Sequence, residues 1–175
     1  MNTVMPQEKL REIFDRITQD VTRTAAGLRL IPGGDGPEGD VCTVYIGFNQ
    51  GFHSGLTLCA DRALLTRLAR SVIQCEEITA QDLEDVTKEY FNVLCGHIAQ
   101  SLYRAVKVAS RFSVPFFCPG PFSPPGQKEQ FSLNYTDDRH AAARLVHHIP
   151  EGSGPEDGAP AELPAAQSKK EAILS

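Results

Sequence analysis

The sequence has no apolar run approaching the ~18 residues that a membrane-spanning helix needs, and Met1 to Leu10 contain no apolar stretch of signal-peptide length. It has no basic excess either: 17 Lys and Arg stand against 22 Asp and Glu, a formal net charge of −5. A nucleic-acid binder would normally carry a basic stripe to neutralise phosphates, so neither nucleic acid nor membrane is an expected partner. Its five cysteines (Cys42, Cys59, Cys75, Cys95 and Cys118) are odd in number, widely spaced and form no CxxC pair. That pattern argues against a disulfide framework or a zinc site and for reduced thiols in a cytoplasmic protein. From Pro150 onward bulky apolar residues almost vanish in favour of Gly, Pro, Ala, Glu and Ser. Residues 151–175 are therefore expected to form a disordered tail, with one domain over residues 1–150.

The rest has an ordinary globular composition, 41% of the 175 residues being hydrophobic. Residues 6–27 read as a helix, with Pro6 in the first turn and Leu10, Phe14, Ile17 and Val21 at helical spacing. Leu28 to Ile31 reads as a short strand stopped by Pro32, followed by a Gly/Pro/Asp loop. Val41 to Phe48 and Phe52 to Cys59 read as strands joined by a turn at Asn49-Gln50-Gly51. Asp61 opens a helix with Leu64, Leu65, Leu68 and Val72 on one face. Thr79 and Asp82 suit the start of a longer one that runs to about Lys107. Arg111 to Cys118 reads as a strand, and Pro119 to Gly126 as a proline-rich loop. Glu129 to Tyr135 and Ala142 to Ile149 then form a hairpin. Consecutive hairpins and flanking helices predict an α+β domain with a largely antiparallel sheet.

The long helix displays two contrasting faces. At about 100° per residue, Val86, Leu94, Ile98, Leu102 and Ala105 form its apolar sector, with Phe91 and Ala109 on the flank. Opposite lies a stripe of Asp85, Glu89, Asn92 and Gly96, all within about 60° of one another. A glycine inside a helix costs about 1 kcal/mol relative to alanine, and close approach by another backbone is one reason to keep Gly96. A plain solvated face is the other reading of the stripe.

Asp85-x3-Glu89-x2-Asn92, followed by 22 residues and then Pro115, resembles the active-site pattern of the CheC/CheX/FliY phosphatase family. That pattern is Asp or Ser, then Glu, then Asn on one helix, with a proline beyond it. Val44-Tyr45-Ile46-Gly47 and Gly51 through Gly55 resemble the family's glycine-punctuated hairpin. Glu89 through Gly96 resemble its catalytic helix, and the resemblance runs from about residue 8 to residue 149.

The resemblance implies removal of the phosphoryl group from an aspartyl phosphate of a CheY-like response regulator. Asn92 would orient the attacking water, since an amide both donates and accepts without ionising, and Glu89 would dock a partner lysine. Asp85 matches the variable position. The magnesium would belong to the partner, so this chain would need no metal or cofactor of its own. The resemblance also implies a homodimer formed through the sheets.

Glu8-x3-Glu12-x2-Asp15 in the first helix echoes the spacing with Asp for Asn, and Gln19 stands where Gly96 stands. CheC-like members carry two active helices and CheX-like members one, so this chain resembles the single-site kind. The rival reading is a non-catalytic binding module, as in flagellar-switch proteins of the same fold. His97 neighbours the stripe, where general-base work is one reading and a boundary residue the favoured one, and His147 and His148 point to opposite faces of a strand. Tyr103 either lines the docking surface or has no role, and Thr22, Ser54 and Ser101 have no spacing that suggests a nucleophile and its base.

Overall fold

The computed structural model describes residues 5–50 and 53–152. The expected tail beyond Gly152 and the Gly51-Phe52 part of the expected turn lie outside the described residues.

Helix α1 spans Gln7–Ala26 and ends at Gly27, whose φ of 65° is the left-handed cap that glycine adopts without strain. Helix α2 spans Arg62–Ile73, with Asp61 at its N-cap. Its buried residues are Leu64, Leu65, Leu68 and Ala69, while Val72, expected on that face, is exposed. Helix α3, Ala80–Val106, opens on a capping box: the Asp82 amide donates to Thr79 Oγ1 and the Thr79 amide to Asp82 Oδ2, each at 3.0 Å.

Among the described residues seven strands form one sheet in which every pairing is antiparallel. They are β1 (Ile31–Pro32), β2 (Val41–Gln50), β3 (Ser54–Asp61), β4 (Arg111–Phe112), β5 (Phe116–Pro119), β6 (Gln127–Thr136) and β7 (Ala142–Pro150). The order is β1-β6-β7-β3-β2, with β4 and β5 both on the far side of β2. The α+β class with an antiparallel sheet is as expected. Strand alternation puts Val44, Leu58, Leu145 and Leu133 in one row across β2, β3, β7 and β6. They pack into the core with Phe14, Phe91, Leu94, Ile98 and Leu102 of the helices.

Three local expectations are corrected. Leu28 and Leu30 are buried but unpaired in the sheet, and the first strand is Ile31–Pro32 instead. Proline is tolerated there because β1 is an edge strand. Arg111 to Cys118 is two strands, since Phe48 pairs with Phe112 and Tyr45 with Phe116. Four residue steps thus oppose three, and the extra residue makes the chain bulge at Ser113-Val114-Pro115. Finally, α3 stops at Val106, so Ala105 is exposed in its last turn and Ala109 lies beyond it. The buried face of α3 includes Leu83, Thr87, Tyr90 and Cys95 besides the expected leucines and isoleucine.

On the other face of the sheet the Tyr45 ring lies across two cross-strand glycines. A Cβ at Gly55 would stand 2.7 Å from Tyr45 Cε2, and one at Gly47 would stand 2.8 Å from the Tyr45 hydroxyl oxygen. Tyr45 in turn packs on Phe122 at a centroid distance of 5.9 Å, under the proline-rich loop.

Candidate functional site

The polar stripe of α3 faces the bulge at the sheet edge. Asp85, Lys88, Glu89 and Asn92 form one wall of a groove of about 450 Å³, and Phe112, Ser113, Val114 and Pro115 form the other. Four of the five residues singled out from sequence, Asp85, Glu89, Asn92 and Pro115, thereby meet in one place. Gly96 lies a turn further along α3, outside the groove lining. A Cβ there would touch only Phe112 Cζ at 4.0 Å, so packing within the domain does not demand glycine.

The bulge is held by β2. Ser113 N donates to the Gly47 carbonyl at 2.8 Å, and Gly47 N donates to Ser113 Oγ at 3.0 Å. Val114, next in the chain, is 86% exposed on the rim of the groove. On the helix, Gln81 Nε2 donates to Asp85 Oδ1 at 2.8 Å, and Lys88 pairs with Glu84 at 2.7 Å. Glu89 is exposed and Asn92 half-buried, and neither has a hydrogen bond or ion pair to any described residue. The site therefore presents an unpaired carboxylate and, one turn on, an amide with donor and acceptor both free.

The echo on α1 occupies the corresponding place at the opposite sheet edge. Asp15 lines a second groove with Pro32 and Gly33, as Asn92 lines the first with Pro115. Its carboxylate is engaged, however, accepting from Tyr135 Oη at 2.6 Å and from Gln19 Nε2 at 2.9 Å. Burial and this bond to a carboxylate both push the Tyr135 phenol well above its ordinary range. Glu12 is exposed and pairs with Lys9.

The remaining candidates have structural surroundings. His147 is buried against Phe14 and Phe131, with Nδ1 2.6 Å from Gln130 Oε1, while His148 lies on the other face beside Thr57 Oγ1 at 2.9 Å. Thr22 and Tyr90 share a hydrogen bond between α1 and α3, and burial pushes the Tyr90 phenol up to about 12. Ser54 is buried, and Ser101 accepts from Arg16 at 3.2 Å. His97 and Tyr103 are exposed. All five cysteines are free, and among the described residues no group of three or more His, Cys, Asp or Glu side chains is placed to hold a metal ion. No described helix is long and apolar enough to cross a membrane.

The model of the family described as chemotaxis phosphatase CheX matches residues 42–125, a stretch that holds Asp85, Glu89, Asn92, Gly96 and Pro115. Over this stretch the chain resembles the CheX family. Its CheX-like fold recurs in a solved chemotaxis protein CheX from Desulfovibrio desulfuricans, 14% identical, with a TM-score of 0.65 over 79% of this chain and 97% of that one. The CheX–CheY–BeF3–Mg complex from Borrelia burgdorferi matches at 15% identity and a TM-score of 0.65, covering 81% of this chain and 98% of that chain. Thermotoga maritima FliY matches at 15% identity and a TM-score of 0.56, covering 85% and 93%. Compared by sequence with curated proteins, the chain has no match. The resemblance to the CheC/CheX/FliY family read from the residues is borne out, and so is the fold.

The sequence reading missed the groove's apolar side, Phe112 and Val114. The exposure of Val114 follows from the one-residue mismatch against β2, which no local pattern announces.

Proposed function

We propose that this chain hydrolyses the aspartyl phosphate of a CheY-like response regulator. The observation that carries the reading is the pairing of a free Glu89 carboxylate with a free Asn92 amide in a groove closed by Pro115. An acyl phosphate already hydrolyses in water, so the catalyst's task is to hold water in line with the phosphorus and order its surroundings. Asn92 suits this: its carbonyl accepts from the water while its NH2 donates to it or to a phosphoryl oxygen. Glu89, one turn earlier, pairs with a lysine of the regulator and fixes how far the amide reaches. Gly96 leaves room for the partner's backbone, which fits the absence of any packing demand for it within the domain.

The complex of the Borrelia relative with CheY supports the choice of partner. Magnesium in such a reaction would be held by the regulator. A cytoplasmic location and a homodimer through the sheet belong to the same reading, and sedimentation of the purified chain checks the second.

The test is phosphate release from phosphorylated CheY-like regulators. Wild-type chain should accelerate it, while Asn92→Ala and Glu89→Ala should each bring the rate to background without loss of fold. Both side chains stand at the groove surface, where truncation leaves no cavity. A double variant within a few-fold of wild type would exclude the catalytic assignment and leave a docking module.

A further inference from the structure

Beside the stripe, α1 and α3 enclose a second depression of about 360 Å³ with a different character. Ile17, Val21 and Val93 supply apolar lining, and Arg16, His97 and Arg104 stand around it. The one acid in the lining, Asp20, is already paired with Arg23 at 3.1 Å. Arg16 donates to the neutral Ser101 hydroxyl at 3.2 Å, and Arg104 has no hydrogen bond or ion pair among the described residues. Two permanent positive charges are thus left without a counter-charge on a chain whose formal net charge is −5.

This depression borders the proposed docking face along α3. Val93 and His97 directly follow Asn92 and Gly96, about 100° further round the same helix. Arg104 lies twelve positions past Asn92, roughly 18 Å along the axis. A partner surface that reaches from Asn92 about 18 Å along α3 and round its flank also meets it. Along α3 the uncompensated charge changes sign, from Glu89 before the amide to Arg104 beyond it.

We propose that the Arg16–Arg104 depression is a second docking point that receives an acidic segment of the same regulator whose phosphoryl group approaches Asn92. This rests on the phosphatase reading and adds orientation to it. A partner carrying a cation near its active site and an acidic segment some way off fits in one direction, and turning it end for end sets like charges together at both points. Charge pairs at the edge of an interface act chiefly on encounter and register, so the effect falls on binding and leaves the chemical step alone.

The experiment compares wild type with Arg16→Glu/Arg104→Glu, and with the milder Arg16→Gln/Arg104→Gln in case reversal disturbs folding. Each is titrated with a phosphorylated CheY-like regulator for Kd and assayed for phosphate release, after circular dichroism confirms the fold. The reversed variant should raise Kd and KM about tenfold or more, hold kcat within about twofold, and lose most of the salt dependence of binding. The Gln variant should fall between. Reversing an acidic patch on the regulator to lysine should restore affinity to the Glu variant alone. Unchanged Kd and salt dependence in a folded Glu variant overturn the proposal, as does a fall in kcat at constant KM. Failure of the wild-type chain to release phosphate counts instead against the phosphatase reading, since Kd is measured separately.

Discussion

Tyr135 of β6 donates its hydroxyl hydrogen bond to the Asp15 carboxylate at 2.6 Å, and together with the Gln19 contact at 2.9 Å this sets the helix–proline groove of α1 apart from that of α3. An amide left free can serve a partner, whereas a carboxylate that anchors a buried phenol is committed to the fold. An anion at that place would also stand against phosphoryl oxygens, and when ionised it only accepts hydrogen bonds. Asp15→Ala should therefore leave phosphate release near normal. It should lower stability by about 1–3 kcal/mol, since the Tyr135 hydroxyl loses its acceptor. Urea unfolding beside the release assay checks both, and a large rate loss in a folded Asp15→Ala protein would refute a single site.

Acid should weaken the fold well before the carboxylates titrate. Burial lowers His147 from its ordinary value to about 3, reinforced by neighbouring His148, which is itself lowered to about 4 by burial. Both folded-state values lie below the unfolded value of about 6.5, so below that pH the unfolded chain binds protons that the folded chain refuses. Stability present above about pH 6.5 is lost progressively as pH falls toward the folded values, with His147 alone accounting for about 2 kcal/mol at pH 5. Urea midpoints measured across this window give the slope, and His147→Leu should flatten it.

Gly55→Ala should destabilise the hairpin by about 1–3 kcal/mol, because the new methyl meets both Tyr45 Cε2 at 2.7 Å and Gln127 Oε1 at 2.9 Å. Much of that loss should disappear when Tyr45 is also shortened to Ser. A double-mutant cycle on thermal melts measures the coupling, and strict additivity would show that the ring is not what excludes the side chain.

Thr79→Ala should cost about 1 kcal/mol through loss of the cap on α3. The effect belongs to the first turn, before Asp85, so kcat should hold while the melting temperature falls.

Much of this could be read from the chain. The 3.6-residue rhythm of α1 and α3, the Thr79–Asp82 cap and the β-branched strands are local signals, and they placed the main elements and the stripe of Asp85, Glu89 and Asn92. What stayed hidden depends on residues distant in sequence. The fate of Asp15 is decided by Tyr135, 120 positions away. Val72 follows the apolar spacing of α2 yet is exposed, since spacing shows a face and not where the neighbouring layer ends. Arg16 and Arg104 look like ordinary surface charges until α1 and α3 lie side by side.

The bulge between Phe112 and Phe116 carries a consequence for how such a protein can change. One wall of the groove rests on a single surplus residue at a sheet margin, held by two hydrogen bonds to Gly47, beside a Phe112 ring that packs against the core. Deleting Val114 would let β4 and β5 fuse into one flush strand, erasing that wall while the packing of α3 on α1 and α2 persists. The shape of the groove thus hangs on one residue of the sheet margin, so a lineage could close or reopen it by a one-codon deletion or insertion and keep the α3 stripe as it is.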